Sequence, residues 1–337
     1  MYVYLYFMGD FDMITLQKDK NKDFKILNLT DFQLTKDEWQ LEHKNGAITH
    51  YTLDELFKRV NPDLVTISGD LAWCGDYSAL ECLANKLDSF GVPYTAVWGN
   101  HDQDDGMEKL EKSIGFLKKH PLFTYEEGPK ELGNGNFVIG IYEDDKIVEG
   151  LILMDSHDKA PDSFRDGRQH WEWAKLYDEQ IPWYKEQIEM LKNLGCTDAT
   201  LIMHIPIYAY RHAFNAAWNK EYRADQVSLL DTYKSEYWNE GYKDSFGTTW
   251  EGICSYREDE HVFDTIKECG MTKTLIAGHD HTNCFHIVYE GVRFVYGVKT
   301  GPGCYWKNPI NGGTVINVTS NGVDKVYHEF VDVNHML

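Results

Sequence analysis

Five short polar clusters in this chain each follow an apolar run: "TDFQ" (30–33), "SGDL" (68–71), "WGNHD" (98–102), "MH" (203–204) and "GHDH" (278–281). Together they offer Asp31, Gln33, Asp70, Asn100, His101, Asp102, His204, His279 and His281. Imidazole nitrogens mixed with carboxylate and amide oxygens suit Zn, Fe or Mn better than Ca or Mg, with Mg still open. No thiolate accompanies them, which argues against a structural zinc site. Glycines at 69, 99 and 278 let the backbone turn sharply and approach closely beside three of the clusters. Singly, each residue has an ordinary explanation. Asp70 after a glycine is a turn or helix N-cap residue, Asn100 a turn residue, His204 a hydrogen-bonded strand-end histidine, and "GHDH" a polar hairpin loop. All of them in order, each at the end of an apolar run, point to a metal site.

The elements that must position these groups can be read from hydrophobic spacing. "FKILNL" (24–29), "DLVTISGD" (63–70) and "VPYTAVWGNHD" (92–102) read as strands. "TLDELFKRV" (52–60) and "YSALECLANKLDSF" (77–90) read as amphipathic helices between them. This β-α-β-α-β alternation implies parallel strands with crossover helices, and functional groups of such sheets collect beyond the strands' carboxyl ends. From about Leu122 to Asp155, alternating segments around "GNGN" predict an antiparallel meander. A helix at 178–195 closes at Gly195. A strand at 199–208 runs into His204, a helix spans 261–270, and a strand at 273–281 ends in "GHDH". Residues 209–260 show no clean period. With no low-complexity tract or repeat, residues 1–337 read as a single domain, with an insertion-rich rim at about 156–260.

Composition narrows the partners. A formal charge of −21 disfavours duplex nucleic acid, but leaves a phosphorylated small molecule open because bound cations reverse the local field. No apolar run reaches a membrane span. The N-terminal "MYVYLYFMG" lacks a basic flank and a small-residue cleavage site, so it reads as an opening strand, not a signal peptide. Seven cysteines without a CxxC pair suit a reducing, cytoplasmic setting. Oligomeric state has no signature here.

The ordered set Asp-x-x, Gly-Asp, Gly-Asn-His-Asp, His, Gly-His-x-His resembles the calcineurin-like metallophosphoesterase superfamily, from Asp31 to His281. The tail "VYEGVRFVYGVKTGPGCYW" (288–306) looks like its branch related to small purple-acid-phosphatase-like enzymes. The resemblance implies a four-layer α/β/β/α sandwich, two mixed sheets flanked by helices. It implies two divalent or trivalent ions. Asp31, Gln33 and His281 would hold the first, Asp70 would bridge, and Asn100, His204 and His279 would complete the second. His101 would face the substrate as general acid or transition-state stabiliser, with Asp102 accepting its other N–H. The implied reaction is hydrolysis of a phosphomonoester or phosphodiester by in-line attack of a metal-bridging hydroxide. A cyclic-nucleotide phosphodiesterase or nuclease is the alternative, and a non-catalytic scaffold a third reading.

Two positions depart from the pattern. Purple enzymes carry a tyrosine ligand three residues after the bridging aspartate, and Trp73 stands there, so no purple iron site is expected; Tyr77 lies too far along. Gln33 replaces a histidine with a weaker donor, which predicts a weaker first site or one preferring Mn or Mg. Asp155 and His157 in "MDSHD", His170 in "RQHWEW", and Arg211 and His212 in "YRHAFN" are read as structural or rim residues. Asp280 is read as a loop residue, and Asn28 of "NLT" as a buried strand position.

Overall fold

The computed structural model of the chain describes residues 13–160, 164–165, 168–169, 172–228, 231 and 233–337. Its strands are β1 (Ile14–Lys18), β2 (Phe24–Leu29), β3 (Leu64–Ser68), β4 (Tyr94–Val97), β5 (Phe137–Glu143) and β6 (Lys146–Leu153). After the two-residue strands β7 (Phe164–Arg165) and β8 (Arg168–Gln169) come β9 (Ala199–Ile202), β10 (Phe246–Thr249) and β11 (Thr272–Ala277). The last four are β12 (Asn283–Tyr289), β13 (Val292–Tyr296), β14 (Gly312–Thr319) and β15 (Gly322–Phe330). Helices are α1 (Lys44–Val60), α2 (Tyr77–Asp88), α3 (Asn100–Gln103), α4 (Met107–Leu117), α5 (Gln180–Asn193), α6 (Ala209–Ala217) and α7 (Val262–Cys269).

Two mixed sheets result. One runs β15-β14-β2-β3-β4, the other β1-β5-β6-β9-β11-β13-β12-β10. In the first, β2, β3 and β4 are parallel because α1 and α2 cross between them, whereas β14 and β15 join antiparallel. Residue alternation in the larger sheet separates its two faces. Ile139, Leu151, Ile202, Ile276 and Val295 pack into one core with the smaller sheet and helices α1, α2 and α4. Their neighbours Val138, Ile152, Leu201, Leu275 and Phe294 pack with α5, α6 and α7. Sheet faces sheet, and helices cover both outsides: the four-layer mixed α/β sandwich is present.

Several details differ from the sequence reading. Helix α1 begins at Lys44, not Thr52, with His43 accepting the Asn45 N–H as its cap. "GNGN" precedes the β5–β6 hairpin, which turns instead at Asp144, a residue with φ 52°. The opening segment 1–9 lies outside the described residues, and β1, unread from sequence, forms the edge of the larger sheet. The least readable region supplies α6 and the edge strand β10. Asn28 is fully buried in β2 and bonded to Ser68 and Thr66. All seven cysteines are free thiols. Among the described residues, no helix is long and apolar enough to cross a membrane.

Candidate metal centre

The carboxyl ends of β2, β3, β4, β9 and β11 converge, and each hands one polar cluster to the same place. Four of the nine candidate residues take left-handed backbone conformations: Asp31 (φ 57°), Gln33 (43°), Asp70 (56°) and His279 (82°). Such positions are costly for residues with a Cβ and gather where geometry is held for function. Gly69 shows why its neighbour needs glycine: at φ 93°, an added Cβ would lie 2.2 Å from His204 Nδ1.

Donor atoms of the second position face one another. His204 Nδ1 lies 2.7 Å from the Ser68 carbonyl, which fixes it as an N–H nitrogen and leaves Nε2 to take either a proton or a cation. That Nε2 stands 3.1 Å from Asn100 Oδ1, 3.3 Å from His279 Nδ1 and 3.5 Å from Asp70 Oδ2. Lone pairs converging in a buried site repel unless a cation or proton lies among them. Burial opposes a charge on His204, yet the carboxylates of Asp70 and Asp31 pull it up to about 10. Burial and the adjacent His204 push His279 down to about 3.

The first position shows orphaned donors. Asp31 is fully buried; Oδ2 accepts from Thr30 Oγ1 at 2.7 Å and from the His279 N–H at 3.1 Å, while Oδ1 has no partner. His281 Nδ1 lies 2.9 Å from the Tyr305 carbonyl, so Nε2 is left bare and stands 3.7 Å from that oxygen. Gln33 Nε2 donates to Asp70 Oδ2, and its Oε1 is buried without a partner; a half-turn of the amide would present oxygen in place of nitrogen. Burial raises Asp31, whereas His204 holds Asp70 below the usual carboxylate range despite its burial. Asp31, Asp70 and His204 each offer a ligand atom within 4.8 Å of the others. The donor set fits metal ions.

His101 begins where the ligands end. Its N–H donates to Asp70 Oδ1 at 2.9 Å, while its ring, half-buried, stacks on Trp73 at 4.6 Å between centroids. The position read as the missing purple-site tyrosine therefore covers the histidine. One expectation is corrected: Asp102 does not accept from the His101 ring. Its carboxylate turns inward and accepts backbone N–H groups of Asp70 (2.9 Å), Leu71 (3.0 Å), Ala72 (3.4 Å) and Gly99 (2.9 Å). Asp104 holds His101 Nδ1 instead, at 2.6 Å. Burial, with Asp70 beside it, pushes Asp102 up to about 7.

A stability prediction separates the two aspartates. Asp102→Ala strips four buried donors of their acceptor, so it should lower unfolding free energy by about 3–5 kcal/mol in a urea titration. Had Asp102 only oriented His101, stability would stay unchanged.

The other polar clusters have structural partners. Asp155 accepts from the N–H groups of Asn134 and His157, both at 2.8 Å, and His157 Nε2 meets Gln180 at 3.1 Å. Asp280, buried between two candidate ligands, binds the Cys254 N–H at 2.9 Å and the Tyr296 hydroxyl. Tyr77 donates to the Lys109 carbonyl. Arg211 lies 2.8 Å from Ser255 Oγ, and His212 pairs with Asp259; His170 lies outside the described residues. Beside the centre opens a cavity of about 650 Å³ lined by Glu172, Trp173, Arg211, Phe214, Glu251 and Arg257. Trp173 sets its edge against His279, 4.4 Å between centroids. Sequence reading missed Asp104, Lys299 and Tyr305.

The family model of calcineurin-like phosphoesterases matches residues 24–283. The chain is 24% identical to an Arabidopsis thaliana protein named probable inactive purple acid phosphatase 28, covering 84% of this chain and 71% of that protein. Over a shorter stretch, 37% of this chain and 49% of the relative, it is 29% identical to a probable cyclic nucleotide phosphodiesterase of Xenorhabdus bovienii. Among solved structures, a dimetal phosphatase from Danio rerio aligns at a TM-score of 0.54 and 12% identity, covering 91% of this chain and 98% of that one. At that identity the likeness speaks for the fold.

Proposed function

We propose that this chain, which belongs to the calcineurin-like phosphoesterase family, is a dinuclear-metal phosphoesterase acting on a phosphomonoester or phosphodiester of a small molecule. The observation that carries this reading is the convergence of potential ligand atoms: His204 Nε2, Asn100 Oδ1, His279 Nδ1 and Asp70 Oδ2 on one side, Asp31 Oδ1 and His281 Nε2 on the other. Metal ions bound there supply an activated water and neutralise phosphoryl charge. The chain's own groups do the rest. Asp70 stands between the two donor sets and fixes His101 through its N–H. Trp73 and Asp104 hold the His101 ring, so that its remaining nitrogen can give a proton or hydrogen bond to substrate oxygen. The cavity beside Trp173 offers room for a leaving group, and its two arginines and two glutamates, Arg257 paired with Glu172, balance in charge and favour one of low net charge.

Three Arabidopsis relatives are named probable inactive purple acid phosphatases, which makes the non-catalytic reading worth a direct measurement. Supporting catalysis, this chain keeps a histidine held at the rim of the donor set. Metal-free protein should hydrolyse 4-nitrophenyl phosphate or its bis ester only after Mn²⁺, Fe²⁺, Zn²⁺ or Mg²⁺ is added, with a gain of about a hundredfold or more. No turnover with any of these metals, on monoesters, diesters or cyclic nucleotides, would leave the scaffold reading in its place.

A further inference from the structure

The rim of the centre carries a ribbon with no role so far. Residues 158–160 and 172–174 run antiparallel: the Ala174 N–H donates to the Asp158 carbonyl at 3.0 Å, and the Ala160 N–H to the Glu172 carbonyl at 3.1 Å. Between them the chain pairs again as β7 and β8. Lys159 and Trp173 stand opposite one another in this pairing, so their side chains leave the same face. That face meets the candidate centre. Trp173 sets its edge against His279, and Lys159 Nζ lies 3.4 Å from Asp104 Oδ1. The buried Glu172 carboxylate, 3.2 Å from Arg257 Nη1, anchors the base of the ribbon. Asp104 is thereby met at both oxygens, since its Oδ2 holds His101 Nδ1 at 2.6 Å. The same Lys159 Nζ lies 3.3 Å from Asp158 Oδ2, so one ammonium stands between two carboxylates that would otherwise repel.

We infer that Lys159 is a positioning residue for the reaction: by fixing Asp104 it sets the direction in which the His101 ring faces the substrate. The inference rests on the proposed hydrolysis and adds to it a residue that acts at one remove from the reacting atoms. The terminal torsion of an aspartate is broad, and a carboxylate tethered at one oxygen can swing about it. A contact at the second oxygen narrows that swing. Trp73 presses on the flat of the His101 ring and leaves rotation within the ring plane open, which is the freedom that Asp104 removes at Nδ1. Without Lys159, Asp104 would also face Asp158 with no cation between them and be pushed from its place. The ribbon makes this contact reproducible, because Trp173, seated against His279 and lining the cavity, holds Lys159 opposite to it. One ribbon thus borders both the substrate-facing histidine and the room for the leaving group. Lys159 and Asp104 keep 34% and 24% of their side-chain exposure, so water screens their attraction and the effect falls on orientation, not on folding.

Two measurements test this, one of them without turnover. In protein labelled at its histidines, the ring-nitrogen NMR signals of His101, identified by their loss in His101→Ala, report the Nδ1–H held by Asp104. Lys159→Met should shift them and speed exchange of that proton with water, Lys159→Arg should restore both, and the signals of His204 and His279 should stay. In kinetics, Lys159→Met should lower kcat about three- to tenfold, with KM, metal content and melting temperature those of the parent. Its pattern across leaving groups should match that of Asp104→Asn. In an Asp104→Asn background the same substitution should cost less than about twofold, because the two residues act in series. Unmoved His101 signals, or losses that simply multiply in the double variant, would overturn the inference. So would a raised KM with kcat unchanged, which would make Lys159 a substrate contact. If Lys159→Met melts early, Lys159→Gln takes the same measurements, and the same results count against it. Absence of turnover in the parent would instead sink the hydrolase reading, leaving the His101 signals to decide whether Lys159 fixes the ring.

Discussion

Replacing Asp70 with asparagine is expected to remove both metal ions and slow hydrolysis by about a thousandfold or more, on the order of 4 kcal/mol of barrier, while leaving the chain folded. Asp70 reaches groups of both donor sets. Its Oδ2 lies 3.5 Å from His204 Nε2 and receives the Gln33 amide, and its Oδ1 receives the His101 N–H. Two cations a few ångströms apart repel, and a shared negative charge offsets that repulsion. An asparagine in the same place keeps the shape and loses the charge. The metal-free protein should lose some stability, because the buried Asp70 carboxylate is held ionised by His204 and its loss leaves that imidazole without the charge, while relief of the repulsion felt by Asp31 offsets part of the cost. Its melting temperature should fall modestly below that of metal-free parent, with the transition still cooperative. Added Mn²⁺ should raise the parent's melting temperature and not the variant's, since only a state that binds metal is stabilised by it. A variant that retained two ions, or lost less than about tenfold in rate, would show that Asp70 is not shared.

The parts legible in the sequence were those where local pattern and tertiary role coincide. β2, β3 and β4 are buried on both faces, so they read as apolar runs, and their carboxyl ends read as abrupt polar clusters. Asp31, Asp70, Asn100, His204, His279 and His281, which the structure brings together, could be singled out because each follows the end of a buried strand. Adjacency misled at Asp102. On the short helix α3, consecutive residues point about a third of a turn apart, whereas residues three apart share a face. His101 and Asp104 have that spacing, and the signal was available. No such rule reveals Lys299 or Tyr305, which reach Asp31 and His281 only because β13 lies beside β11 in the larger sheet. The edge strands β1 and β10 escaped for a related reason: their short segments have a meaning only beside β5 and β12.

Replacing His101 with alanine should lower kcat by about 10²–10⁴ without changing metal content. Neither ring nitrogen is committed to the donor set: Asp104 takes Nδ1 at 2.6 Å, and the ring lies flat against Trp73. Burial alone would hold the imidazole neutral, but the Asp104 carboxylate and the charge of Asp70 raise its affinity for a proton. It is thus kept as a donor toward substrate. Whether that donation goes to the leaving oxygen or to the phosphoryl oxygens can be separated by chemistry. A 4-nitrophenolate leaves without help, whereas an alkoxide needs a proton, so a general acid matters far more for alkyl phosphates. Should His101 protonate the leaving group, His101→Ala loses at least about tenfold more rate on an alkyl phosphate than on 4-nitrophenyl phosphate. Equal losses on both would assign it to the phosphoryl oxygens instead, and a loss below about threefold on both would remove it from the chemistry. Asp104→Asn gives the matching control. The amide oxygen can still accept from Nδ1 but carries no charge, so its loss should follow the same leaving-group trend at smaller amplitude, while Asp102→Ala should show its effect in unfolding.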